Sequence, residues 1–159
     1  MSTFSKEEVL RLNSLEGKSI KNVIYHKWAN YSKPNQVYFC VDFIEFMFND
    51  SEKLVFSGKE HDEIKIIELD LEQEKSMLEK EFGGKIKIES DNQNHLEPWG
   101  SLPNKTISYI ALRKNENNQY FNDALIINFE GEEVLLFNNG EGLVAEMMDD
   151  DDSEEELGI

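Results

Sequence analysis

The chain has 159 residues, with 33 acidic against 16 basic side chains and a formal charge of −17. Seven of the acids lie in Asp149–Asp152 and Glu154–Glu156, and the remainder is acidic without them. That field opposes nucleic-acid phosphates and anionic lipid headgroups and favours a basic protein partner. One cysteine, Cys40, excludes an intrachain disulfide and lies in an apolar run. No stretch has the length of a membrane-spanning helix or a signal core, so the sequence reads as cytoplasmic, with one domain over residues 1–148 and an acidic, disordered tail over 149–159.

Ser5 and Glu8 form a capping-box pattern, and Val9, Leu12 and Leu15 follow at helical spacing, which predicts a helix over residues 6–15 ended by Gly17. A β-like stretch runs from Ser19 to near Trp28. Residues 29–35 carry Asn, Ser and Pro and read as a loop. Gln36–Phe48 reads as a long strand, Lys53–Ser57 as its return and Glu63–Leu69 as a further strand. Asp70 can cap a helix over residues 71–82 that Gly83 and Gly84 end. A short strand is expected at Lys85–Glu89, a long one at Gln119–Phe129, and further strands at Thr106–Arg113, Val134–Phe137 and Leu143–Met147. The polar stretch between Ser90 and Asn104 holds Pro98-Trp99-Gly100.

The strongest signal is an internal repeat. Asp42–Glu60 aligns with Asp123–Glu141 without a gap, matching Phe48 to Phe129, Leu54 to Leu135 and Phe56 to Phe137. Leu15, Lys18, Ile20 and Val23 likewise correspond to Leu102, Lys105, Ile107 and Ile110 at a different offset. Repetition of this kind marks a duplicated supersecondary unit. The expected fold is therefore α+β and β-rich. Two antiparallel meanders, about residues 15–69 and 102–148, would form a sheet, sandwich or open barrel, with one helix at the N-terminus and one in the connection over 70–101. Core faces should carry Ile44, Phe46 and Phe48, and Leu125, Ile127 and Phe129. Three-residue or bulged turns are expected, with Phe48 opposite Leu54 and Phe46 opposite Phe56.

No phosphate-binding glycine loop, nucleophile elbow or cysteine pair is present, so neither a cofactor nor an enzymatic reaction is expected. His61, beside Glu60, Asp62 and Glu63, is the one grouping with cation-binding chemistry, but it follows a glycine in a turn and a solvated acidic turn is the favoured account of it. The candidate partner-binding residues are Glu60, Asp62 and Glu63 in one turn, Glu130, Glu132 and Glu133 in another, and Trp99. The tryptophan serves either as a hot-spot anchor or as a lid over the core.

Small, acidic, cofactor-free and β-rich, with Lys-, Asn- and Ile-rich usage, the chain resembles in overall character the immunity proteins of bacterial polymorphic-toxin and contact-dependent inhibition systems. The resemblance implies a protein that binds a cognate, basic toxin domain and blocks its active site or substrate groove. The competing expectation is an acidic adaptor or chaperone-like module.

Overall fold

The computed structural model describes residues 2–60 and 62–148; the acidic tail and His61 lie outside them. Two helices and nine strands are present in the order α1 (Lys6–Asn13), β1 (Ile20–Lys33), β2 (Gln36–Phe48), β3 (Lys53–Ser57), β4 (Lys65–Ile67), α2 (Leu71–Phe82), β5 (Ile86–Asn92), β6 (Ile107–Ala111), β7 (Ala124–Phe129), β8 (Glu132–Asn138) and β9 (Leu143–Met147). The fold is α+β and β-rich: a five-stranded antiparallel sheet ordered β4-β3-β2-β1-β5 and a four-stranded one ordered β6-β7-β8-β9.

Local chemistry explains the helices. The Ser5 hydroxyl accepts from the Glu8 N–H while the Glu8 carboxylate accepts from the Ser5 N–H, satisfying two otherwise orphaned donors. Asp70 caps α2 through the Gln73 N–H, and Gly83 ends it at a φ of 59°, a conformation glycine adopts without steric cost.

The two sheets share one core. Ile44, Phe46, Phe48, Leu54 and Phe56 from one sheet meet Leu125, Ile127, Phe129, Val134 and Leu136 from the other. The five-residue set on each side comes from alternate strand positions, the period-two pattern of a half-buried sheet. At about 25 cal/mol per Å² of apolar surface, this shared interior is the dominant stabilising term. Helix α2 links the two edge strands β4 and β5, packs against β5 and contributes nothing to that core. Phe43, Val55, Ile86 and Ile88 are buried on the five-stranded sheet's other face.

Both meanders repeat the same geometry. Ile20 pairs with Phe48 and Asn22 with Met47 across a bulge at position 21; Ile107 pairs with Phe129 and Tyr109 with Asn128 across a bulge at position 108. The ungapped alignment nevertheless fails by one residue at the hairpin turn. The first turn holds three residues, Asn49–Ser51, closed by the Phe48 N–H on the Glu52 carbonyl. The second holds two, Glu130 and Gly131, both at positive φ, as tight hairpins demand. Leu54 and Phe56 are therefore equivalent to Val134 and Leu136, and all four lie in the shared core. Leu135 instead lies in a small cluster apart from it, with Phe137 packed alongside. The expected cross-strand partners also shift: Phe46 faces Leu54, and Ile44 faces Phe56.

Two further boundaries differ from expectation. Residues 29–33 continue β1 instead of looping, because Lys33 pairs with Gln36 across a tight turn. Strand β7 starts at Ala124, not Gln119, since Tyr120 bridges to Lys114 and Phe121 to Thr3. The connecting segment adds β5 to the first sheet and Trp99 to the core.

Candidate partner-binding surface

The predicted acidic residues divide between two ends of the molecule. Glu60, Asp62 and Glu63 lie in the β3–β4 connection. There the buried Asn138 side-chain amide donates to the carbonyls of Gly58, Glu60 and Glu63 at 3.2, 2.9 and 2.7 Å. The Glu63 carboxylate accepts from the Ser2 hydroxyl and lies 4.0 Å from Lys65. Glu130, Glu132 and Glu133 occupy the β7–β8 turn and the start of β8. Since Asn138 ends β8, the whole strand separates the two groups, roughly 20 Å. They do not form one acidic patch.

Within the second group each carboxylate is engaged. Glu130 accepts from the Thr106 N–H at 2.6 Å, Glu132 pairs with Lys105 at 2.9 Å and takes the Ser101 hydroxyl at 3.1 Å, and Glu133 accepts from the Tyr109 hydroxyl at 3.3 Å. Lys105, with Ser101, holds the Glu132 carboxyl below its ordinary range. The first meander repeats the device: Lys18 reaches Asp50 at 2.6 Å and Glu52 at 2.9 Å, lowering the Asp50 carboxyl. Both turns lie at the junction of the sheets, where Ser19 bridges to Thr106. This pairing reduces the acidity that each turn presents to a basic partner.

Trp99 is a core residue, which corrects its reading as a surface anchor. It is fully buried, its indole N–H donates to the Tyr25 hydroxyl at 2.7 Å, and its ring meets Phe46 and Phe129 edge-on at 5.4 and 6.4 Å. It joins the two sheets at their centre. The flanking Pro98 and Gly100 suggested an exposed loop, and only the tertiary fold turns the indole inward.

The exposed apolar side chains collect elsewhere. The β1–β2 hairpin projects past β3 as an arm: β3 pairs with β2 only from Phe43 onward, so Gln36–Cys40 have no strand on that side among the described residues, while β5 accompanies β1 as far as Tyr31. Register places Ala29, Phe39 and Lys87 on one face, with Tyr31, Val37 and Lys85 continuing it. Phe39 is 57% exposed, Tyr31 40% and Val37 39%, while Tyr38, on the opposite face, is 46% exposed. Where the arm meets the β8–β9 turn, a cleft of about 280 Å³ opens between Phe39, Val41 and Lys27 on one side and Glu141, Gly142 and Leu143 on the other. Cys40 lies at this cleft, but burial and then the adjoining Asp42 push its thiol up to about 12, so it stays protonated and unreactive at neutral pH.

A larger groove of about 1710 Å³ separates α1 from the β3–β4 edge. Helix side chains satisfy that edge: Glu8 accepts from the Ile66 N–H at 2.8 Å and Arg11 donates to the Lys53 carbonyl at 2.7 Å. These side chains blunt an edge that would otherwise template pairing.

Sequence reading missed one acid–base constellation, because only strand register assembles it. The buried His26 places Nδ1 2.7 Å from the Ser90 hydroxyl and Nε2 3.1 Å from the Glu45 carboxylate, on three adjacent strands. Ser, His and carboxylate in series is the arrangement that activates a nucleophile. Here neither cavity includes Ser90 or His26, and the trio instead satisfies a buried imidazole. Among the described residues, no three His, Cys, Asp or Glu side chains are grouped to hold a metal ion, and no helix is long and apolar enough to cross a membrane. Comparisons with protein-family models, curated proteins and solved structures gave no match, so the surface itself carries the functional reading.

Proposed function

We propose that this chain is a binding protein that captures and neutralises a basic protein partner, in the manner of an immunity protein acting on a bacterial toxin domain. The observation that carries the reading is the exposed face of the β1–β2 arm, where Phe39, Tyr31 and Val37 lie side by side on a chain of charge −17. Exposed aromatics on rigid strands supply contact area at low entropic cost and dominate binding hot spots. The net negative charge of the whole chain accelerates encounter with a basic partner, although Lys85 and Lys87 share the arm's face. The paired carboxylates of the two turns act through this long-range field rather than as a contact patch.

The test is to look for a small basic toxin domain encoded beside this protein, whose absence would count against the reading, and to measure binding to it by calorimetry in parallel with rescue of cells producing it. Phe39→Ser is expected to weaken binding at least tenfold and to abolish rescue, while raised salt slows association. Unchanged affinity with Phe39→Ser and Tyr31→Ser together would remove the arm from the interface. Failure to rescue despite tight binding would favour an adaptor.

A further inference from the structure

Strand β5 ends the five-stranded sheet, and among the described residues no strand pairs with its outer side. The Tyr31 N–H donates to the Lys85 carbonyl. In the unbroken β1–β5 register, alternate residues therefore point their backbone groups towards β1, and Ile86, Ile88 and Ser90 direct theirs outward. Side chains alternate as well. Ile86 and Ile88 are buried on the face that α2 packs against, while Lys85, Lys87, Glu89 and Asp91 share the other face in that order. The strand thus carries two bases followed by two acids on one face, beside an unpaired backbone edge.

We propose that β5 is the contact strand of a symmetric dimer, pairing antiparallel with β5 of a second copy of this chain. A two-fold interface must be self-complementary, and the charge order supplies that property in one register. Centring the pair on Ile88 sets Lys87 opposite Glu89 and Lys85 opposite Asp91 of the second copy, on both sides of the axis. The outward backbone groups of Ile86, Ile88 and Ser90 then meet in hydrogen-bonded pairs. Moving the centre by one residue opposes Lys87 to Lys87 or Glu89 to Glu89, and moving it by two opposes Lys85 to Lys87 or Glu89 to Asp91. Like charges directly opposite are destabilising, so the sequence selects the Ile88 register.

Glu89 already accepts from the Tyr31 hydroxyl, and Asp91 pairs with Lys27 at 3.0 Å. A carboxylate accepts several donors, which leaves room for the second copy's lysines. The strand has a net charge near zero where the rest of the chain is strongly negative, so two copies meeting at this edge face less local repulsion than elsewhere on the surface. A strand pair alone buries less than a stable interface needs, about 1,000 Å². Met77 and Phe82, 47% and 38% exposed, supply further apolar surface on α2, the helix that packs against β5.

Sedimentation velocity across a concentration series tests the proposal. Wild type is expected at twice the 18.5 kDa chain mass. Lys87→Glu and Glu89→Lys should each raise the dimer dissociation constant roughly tenfold, since each change turns two attractive cross-strand pairs repulsive. The double variant K87E/E89K should restore the dimer, because the swap recreates opposite charges across the axis. Ile88→Pro removes an outward N–H without touching the β1 ladder and should yield monomer, with circular dichroism verifying the fold. A wild type that stays monomeric at high concentration overturns the proposal. So does a dimer that ignores both single charge reversals, or one that the double swap fails to restore.

Discussion

Ser19 and Thr106, 87 positions apart, face each other at the junction of the two sheets with their hydroxyls 3.2 Å apart. Their neighbours exchange hydrogen bonds reciprocally: the Gly17 N–H donates to the Ile107 carbonyl at 2.8 Å and the Asn104 N–H to the Ile20 carbonyl at 2.9 Å. Equivalent positions of the two meanders thus contact one another, as residues do across a two-fold axis.

That relationship sets the first prediction. Ser19→Ala and Thr106→Ala each lose one partner of a half-buried hydroxyl pair and should cost about 0.5–1.5 kcal/mol by urea denaturation. The double variant should cost less than the sum, because the first deletion has already broken the shared bond. Strict additivity would show that the two hydroxyls contribute separately.

The second prediction concerns Trp99 and Tyr25. Tyr25→Phe leaves the indole N–H buried without its acceptor, a loss of about 1–3 kcal/mol. Trp99→Ala empties the centre of the shared core and should cost about 3–5 kcal/mol. Burial pushes the Tyr25 phenol up, an effect partly opposed by the indole hydrogen bond. The folded state therefore holds this proton more tightly than the unfolded chain. The stability this confers is fully present below the unfolded pKa near 10.0 and is lost as pH rises through the folded value. Melting temperatures from pH 8 to 11 should fall more steeply for wild type than for Tyr25→Phe; parallel curves would refute the assignment.

How much of this could be read in advance depends on the range of the cause. Local signals were legible: the Ser5–Glu8 capping box, the Asp70 cap, the Gly83 stop and the period-two faces of β2 and β7 sit within a few residues of their effects. The repeat revealed two meanders. Its best-matching identities, Leu54 with Leu135 and Phe56 with Phe137, nevertheless proved out of step, since a one-residue difference in turn length reverses which side chains enter the core. Long-range outcomes were not legible. Trp99 reads as loop until Tyr25 and Phe129 close over it, and the separation of Glu60 from Glu132 depends on which end of β8 each loop meets. The arm was hidden because Asn, Ser and Pro at residues 30–35 imitate a loop, although the chain extends as strand through Lys33.

Asn138 supports the third prediction. A side-chain amide holding three backbone carbonyls is the main tie on the β3–β4 connection. Asn138→Ala leaves those carbonyls without their donor in a buried site and should cost about 2–3 kcal/mol. Hydrogen exchange is the discriminating measurement. Amides of residues 58–64 should lose protection well before those of β7 and β8, whereas uniform loss would mean that Asn138 acts on global stability alone.

The last prediction lies where the arm meets the β8–β9 turn. Gly142 has a φ of 148°, and a Cβ built there would lie 2.9 Å from the Val41 carbonyl oxygen and 3.1 Å from its nitrogen. Neither contact can be relieved by rotating a side chain, because both atoms belong to the backbone. Gly142→Ala therefore combines an unfavourable conformation with a clash and should destabilise by more than the 1 kcal/mol or so typical of an interior substitution. Part of the strain can relax by driving the turn away from the arm, which would widen the cleft beside Phe39. Tryptophan fluorescence separates the two effects: Trp28 lies in the arm and Trp99 in the core, so Trp99→Phe leaves Trp28 as the single reporter. In that background Gly142→Ala should shift Trp28 emission before global unfolding begins; an emission spectrum that changes only at the main transition would show the arm and turn to move as one unit.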